Sequence, residues 1–219
     1  MDYKFNSSVA SLQPSAIREI LKMTSKPGII SFSAGNPSAE AFPSKEIADI
    51  ASDILRNDPV SALQYSITEG YSPLIEYLKE YMKGKNALHS DDAVIVTSGA
   101  QQVMALAPKA LCDSGDTVIC ENPSFIGSLN SFRAHGGKLK GVDMQPDGMD
   151  MDALEALLRS DKRVKFIYTI PNFQNPTGIT MSYEKRIRLY ELACQYDVII
   201  LEDNPYGDLR FEGEYIPSI

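Results

Sequence analysis

Apolar and polar positions along this chain follow two periods in turn, and their alternation predicts strand and helix in succession. Val198-Ile-Ile-Leu201 is an unbroken aliphatic run that reads as a strand buried on both faces, as inside a parallel sheet. Short runs at 29–33, 92–97, 117–121, 138–142 and 164–170 read as further strands. Helical spacing fills the intervals. One helix is predicted over 14–23, with Ile17, Ile20 and Leu21 on a common face, and another over about 43–57, with Ile47, Ile50, Ile54 and Leu55 as its stripe. A helix over about 73–83 places Leu74, Tyr77, Leu78 and Tyr81 on its buried side. Further helices are expected from 100 to about 112, up to about 134, over 151–158 and over 182–196. This alternation of strand and helix predicts an α/β fold, a mostly parallel sheet with helices on both faces.

Composition narrows the partners. With 219 residues the chain fits one large domain or one domain with a small appendage. A formal net charge of -8 argues against nucleic acid, which selects clustered positive charge. No apolar run reaches the roughly 18 residues of a membrane span, and no membrane partner is expected. The three cysteines, Cys112, Cys120 and Cys194, match neither a disulfide framework nor a zinc pattern. Each lies in an apolar run, so they read as buried free thiols of a cytoplasmic protein. Only two histidines, His89 and His135, are available, and no metal site is expected.

The polar chemistry gathers where the strands stop. In an open α/β sheet, ligands bind beyond the carboxyl ends of parallel strands, so segments 98–101, 121–125, 172–178 and 202–206 should converge. Asp203 follows the aliphatic run and is placed to meet a cationic group, although a carboxylate there also suits a cap or a turn. Ser98-Gly-Ala-Gln-Gln102 passes from strand to helix, and the backbone N–H groups of Gly99, Ala100 and Gln101 suit a phosphate. The same segment taken alone is a turn with a glycine. Phe125 fits either a core position or an aromatic face for a flat ligand. Asn175-Pro-Thr-Gly178 places an amide beside a candidate cis proline, and Tyr206 puts a phenol three residues after Asp203.

Six segments, in order and in register, form a set. They are Pro27-Gly-Ile-Ile-Ser-Phe-Ser-Ala-Gly-Asn-Pro37, Gln64-Tyr65 with Glu69-Gly70, Ser98-Gly-Ala-Gln-Gln102, Glu121-Asn-Pro-Ser-Phe125, Asn172-Phe-Gln-Asn-Pro-Thr-Gly178 and Glu202-Asp-Asn-Pro-Tyr206. With them the chain resembles the class I aminotransferases of the pyridoxal 5'-phosphate fold-type I superfamily, nearest the branch of 2-aminoadipate transaminase and the MocR-like enzymes. The resemblance implies the large domain of that fold over 46–219, incomplete at its end, after an N-terminal arm and small-domain segment over 1–45.

The resemblance also implies roles. Asp203 would pair with the pyridinium nitrogen of pyridoxal 5'-phosphate, and Asn175 and Tyr206 would bond its 3'-oxygen, making Asp203 and Tyr206 the residues nearest the chemistry. Phe125 would stack on the ring, while Gly99, Ala100 and Gln101 would hold the phosphate through backbone N–H groups. Tyr65 would reach the phosphate of a neighbouring subunit, which implies a homodimer with shared active sites. Gly35 and Asn36, with Asn175, would lie by the substrate carboxylate, and Arg18 would meet a distal carboxylate or remain a solvated helix charge. The substrates implied are an amino acid and a 2-oxo acid, exchanged by a ping-pong route.

Two departures stand out. Ala100 occupies a place where many relatives carry Ser or Thr, which removes one side-chain contact to the phosphate. The family's Schiff-base lysine falls beyond Ile219, and Lys162, Lys165 and Lys185 match no lysine motif. The expectation is therefore the N-terminal portion of a longer enzyme, inert by itself. A β-lyase or decarboxylase on the same fold, or the effector domain of a MocR-type regulator, are the alternatives.

Overall fold

Among the described residues, five strands make one sheet. They are β1 (Thr117–Asn122), β2 (Lys138–Gln145), β3 (Gly148–Met149), β4 (Val164–Thr169) and β5 (Ile199–Glu202), in the spatial order β3-β2-β1-β4-β5. The computed structural model describes residues 3–6, 10, 28–30, 35 and 37–219. Within it β2, β1, β4 and β5 are parallel, while β3 folds back antiparallel on the end of β2. Gly148 allows that return. Its φ is +124°, and a Cβ there would come within 2.8 Å of Met181 Cγ.

The chain divides into two compact units, one of Met1–Leu12 with Ser72–Ile219 and one of Gln13–Tyr71. The second contains a 3-10 turn (Ala39–Ala41), α1 (Ser44–Asn57) and α2 (Pro59–Leu63). The first carries the sheet with α3 (Ser72–Gly84), α4 (Ala100–Leu111), α5 (Ile126–Ala134), α6 (Met151–Ser160) and α7 (Tyr183–Tyr196). Local chemistry sets several boundaries. The Asp150 side chain accepts from the N–H groups of Asp152 and Ala153 to start α6, and Ser182 accepts from Lys185 N to start α7. Asp197, left-handed at φ 55°, ends α7 and turns the chain into β5.

Because side chains alternate across a strand, the sheet buries a different set on each face. Ile119, Val142 and Ile167 pack with Leu154 and Leu158 of α6 and Leu189 and Leu192 of α7. Val118, Cys120, Phe166 and Tyr168 pack with Met104 of α4 and Phe132 of α5. The Phe132 ring meets Phe166 and Tyr168 edge-on, each at 5.2 Å between centroids. The parallel sheet covered on both faces is therefore as the sequence predicts.

Several expectations are corrected. Residues 92–97 form no ladder: a strand needs a partner to satisfy its backbone, and none pairs with this segment among the described residues. The strand at 199–202 is not buried on both faces, because it lies at the sheet edge, and Ile199 is 50% exposed. In α3 the inward face is Ile75, Leu78, Lys79 and Met82, one position round from the predicted stripe, and Tyr77 and Tyr81 face outward. A tyrosine ring counts as apolar in a periodicity reading, yet its hydroxyl tolerates water. The stripe of α1, Ile47, Ile50, Ile54 and Leu55, is exposed. Of the cysteines only Cys120 is buried; Cys112 is intermediate and Cys194 exposed, on the outer side of α7. The predicted helix at 14–23, and the strand at 29–33 beyond residue 30, lie outside the described residues. Among those described, no helix is long and apolar enough to cross a membrane.

Candidate functional site

The register brings the polar segments to one edge. Cys120 lies beside Tyr168, and Thr169 beside Glu202, so β1, β4 and β5 end together. Asp203 N extends the ladder by donating to Thr169 O at 2.9 Å, which fixes the backbone of the first residue past the strand. The Asp203 side chain, 9% exposed, receives the Tyr168 hydroxyl on Oδ2 at 2.8 Å. Tyr168 Oη lies 2.9 Å from Ser128 Oγ. A phenol has one proton, so with that proton on Asp203 the Ser128 hydroxyl donates to Tyr168. Burial pushes the Asp203 carboxyl above its ordinary range, and the Tyr168 bond pulls it back. Burial, with the nearby Asp203 charge, pushes the Tyr168 phenol up and keeps it protonated.

Glu121 organises the next loop. It is 1% exposed and accepts from Thr169 Oγ1 at 2.6 Å, Ile170 N at 3.2 Å and Gln174 Nε2 at 2.9 Å. Burial raises its carboxyl above the usual range, an effect these hydrogen bonds oppose. Gln174 Nε2 also donates to Pro123 O at 2.8 Å, while its Oε1 accepts from Thr177 N and Oγ1. The loop so held presents Asn175, whose Nδ2 lies 3.3 Å from Tyr206 Oη. The Asn122–Pro123 and Asn175–Pro176 bonds are both cis. Phe173, Asn175, Tyr206 and Phe211 line an open cavity of ≈ 420 Å³ on this edge.

A buried arginine fastens the back of the loop. Arg186 donates to Pro171 O at 3.0 Å, Asn172 Oδ1 at 2.8 Å, Met181 O at 3.2 Å and Pro217 O at 2.7 Å. Asn172 Nδ2 in turn reaches Asn204 Oδ1 at 3.0 Å, so the segments after β4 and β5 are linked.

The N-terminus of α4 adjoins this edge through Gln101, whose Nε2 contacts Gly127 O at 3.3 Å and Ser131 Oγ at 2.6 Å on α5. Gly99 has φ +74°, and the space a Cβ would occupy is open. Its N–H is not outward-facing as expected, since it donates to Thr97 O at 2.9 Å. The donors left over by helix geometry are those of Ala100 and Gln101. Phe125 packs partly into the cluster under α5, its ring turned over Gly127. On the same loop Ser124 Oγ is buried without a hydrogen-bond partner among the described residues.

The structure thus gathers Gly99, Ala100, Gln101, Phe125, Asn175, Asp203 and Tyr206 in one unit. Tyr65 and Gly35 belong to the other, both exposed, and Arg18 and Asn36 lie outside the described residues. Lys165 pairs with Asp116 at the amino end of the strands, Lys162 lies over the Tyr196 ring, and Lys185 pairs with Asp147. Sequence reasoning missed Tyr168, Ser128, Gln174 and Arg186, and gave Glu121 no role. A signal existed for Glu121, a carboxylate closing an aliphatic strand run. Tyr168 in a strand carries no such mark.

Residues 27–218 match the family of class I and II aminotransferases. The chain belongs to this family. Among aminotransferases it is 39% identical over 215 residues to 2-aminoadipate transaminase of Thermus thermophilus, covering 98% of this chain and 53% of that protein. It is 38% identical over 226 residues to aromatic-amino-acid aminotransferase 1 of Thermococcus litoralis, covering 100% and 54%. Its fold matches kynurenine aminotransferase of Pyrococcus horikoshii, solved with PMP, at a TM-score of 0.91 and 34% identity, over 98% of this chain and 54% of the other. The chain spans about half the length of the curated aminotransferases it matches.

Proposed function

We propose that this chain forms the cofactor-holding part of a pyridoxal 5'-phosphate-dependent aminotransferase that moves an amino group between an amino acid and a 2-oxo acid in two ping-pong half-reactions. The observation that carries the reading is the buried Asp203 carboxylate at the carboxyl end of β5, with Tyr168 on one oxygen. No donor meets its Oδ1 among the described residues, which leaves that oxygen for a cationic ring nitrogen. The remaining groups fit the same ligand. Asn175 and Tyr206 offer a paired amide and phenol to the ring's 3'-oxygen, and the free N–H groups of Ala100 and Gln101 offer a helix N-terminus to a phosphate. Phe125 supplies the aromatic face, and the open space at Gly99 admits close approach.

When bound, the cofactor supplies an electron sink for charge developed at the substrate Cα. Asp203 would keep the ring nitrogen protonated, and Tyr206 and Asn175 would donate hydrogen bonds to the 3'-oxygen. Tyr65 would serve the cofactor of a second copy in a homodimer, and Arg18, Gly35 and Asn36 the substrate. The lysine joined to the cofactor would come from outside these residues, so the chain alone would bind without turnover.

Isothermal titration with pyridoxal 5'-phosphate tests this. Binding weakened at least about tenfold by Asp203→Asn is expected, an amount in line with loss of one charged hydrogen bond. Equal binding by the variant, or none by the parent chain, overturns the reading.

A further inference from the structure

We propose that Tyr168, itself held by Ser128, is a positioning residue that fixes the Asp203 carboxylate and reserves its second oxygen for the cofactor's ring nitrogen. The proposal rests on the cofactor reading above and extends it to two residues one step removed from the ligand.

The geometry argues a directed chain. Ser128 on α5 and Tyr168 on β4 are both fully buried, and their hydroxyls line up with Asp203 Oδ2 at 2.9 and 2.8 Å. In a buried row of this kind each hydroxyl must find an acceptor, and the only charged acceptor in the row is Asp203. The proton order Ser128 to Tyr168 to Asp203 follows, with the carboxylate as the terminus. The Tyr168 ring cannot swing away. It is wedged against Phe132 at 5.2 Å, edge to face, and its strand lies inside the sheet between β1 and β5. A rigid donor on one oxygen sets the plane of the carboxyl group, and so the direction of the other oxygen.

The electrostatics around Asp203 make such a donor necessary. From β1, the nearby Glu121 is a second buried carboxylate, and the Asp203 charge opposes its ionisation. From β4 the facing group is Tyr168, and from α5 it is the neutral Ser128. Burial disfavours the Asp203 charge, and the Tyr168 hydroxyl is the hydrogen bond that opposes it. Removing that bond leaves burial unopposed, so Asp203 should hold a proton to higher pH and lose its fixed direction.

The test is a pH titration of the Asp203 carboxyl carbon by NMR on the chain labelled at aspartate, its resonance identified by its loss in Asp203→Asn. Tyr168→Phe keeps the ring and removes the donor, and should raise the midpoint by about one pH unit or more, the size of a hydrogen bond to a charged group. Ser128→Ala should raise it less, in the same direction. Phe132→Leu loosens the packing against the Tyr168 ring but keeps all three polar groups of the row, and should move the midpoint less than Tyr168→Phe does. If Tyr168→Phe does not fold, Ser128→Ala decides by the same criterion. A midpoint that moves no further than in Phe132→Leu overturns the proposal. Isothermal titration of the same samples with pyridoxal 5'-phosphate separates the two claims. Binding with an unmoved midpoint removes the role of Tyr168 and leaves the cofactor reading standing. A raised midpoint without binding by the parent chain removes the cofactor reading, and with it the role as proposed, while leaving the Tyr168–Asp203 linkage measured. Both results positive, with binding weakened several-fold in Tyr168→Phe, support the proposal.

Discussion

Glu121 and Gln174 are joined by a 2.9 Å hydrogen bond that ties the end of β1 to the loop presenting Asn175. Glu121 meets only donors: the Thr169 hydroxyl, the Ile170 N–H and the Gln174 amide. Glutamine at this position would turn an NH2 group toward at least one of them. Glu121→Gln should therefore cost about 1–3 kcal/mol, the penalty of a buried polar group left unsatisfied. Urea denaturation measures it. Faster amide exchange at Thr177 and Gly178 should accompany the loss, since Gln174 closes that loop.

How this loop was built could not be read from the sequence, whereas its location could. The parallel strands found as β1, β4 and β5 follow from apolar runs and β2 from a shorter, mixed one, and the ends of α4, α6 and α7 from their apolar spacing and flanking polar residues. Asn175, Asp203 and Tyr206 were placed because turn chemistry at strand ends is local. Tyr168 and Ser128 were not, because the partner that gives Tyr168 its role lies 35 residues onward and a strand tyrosine reads as core. Residues 92–97 carry a good strand pattern, yet pattern specifies a face and never supplies a neighbour. The stripe of α3 was misplaced by one position for a similar reason: its two tyrosines read as apolar but face water.

A second prediction concerns acid. Asp161 accepts from Thr117 Oγ1 at 2.7 Å and Arg163 N at 2.8 Å, and pairs with Lys140 at 2.8 Å. The Lys140 contact, then the Thr117 and Arg163 bonds, hold its carboxyl well below the usual range. A depressed folded pKa gives stability that is present above the unfolded value of about 3.9 and is lost as pH falls through the folded one. Asp161→Asn should lower the denaturation midpoint at pH 7, and the gap from the parent chain should narrow as pH is taken below about 4. A gap unchanged by pH would contradict this.

Thiol chemistry should sort by burial. Cys194 is exposed, whereas burial pushes the Cys120 thiol up to about 11. A disulfide reagent at pH 8 should modify Cys194 within its mixing phase and Cys120 only on unfolding. Mass spectrometry of digests, with and without urea, gives the order.

The aromatic wedge should be costly to remove. Phe132 is fully buried and touches both Phe166 and Tyr168. Phe132→Ala should lose about 3–5 kcal/mol, and Phe132→Leu distinctly less, because most of the volume is retained. Chemical denaturation of the pair checks the ordering.

Arg186 carries a consequence for the timing of folding during synthesis. Its guanidinium is satisfied by carbonyl groups on both sides of it in the chain, Pro171 and Met181 before it and Ile216 and Pro217 after it. A buried cation cannot settle until its acceptors exist. A nascent chain that has emerged only as far as β5 holds the five described strands in its sequence, yet Arg186 still lacks the acceptors at 216 and 217. The burial of α7 is then opposed by an incompletely solvated charge. The segment at 216–217 thus acts as a latch on a helix made some thirty residues earlier.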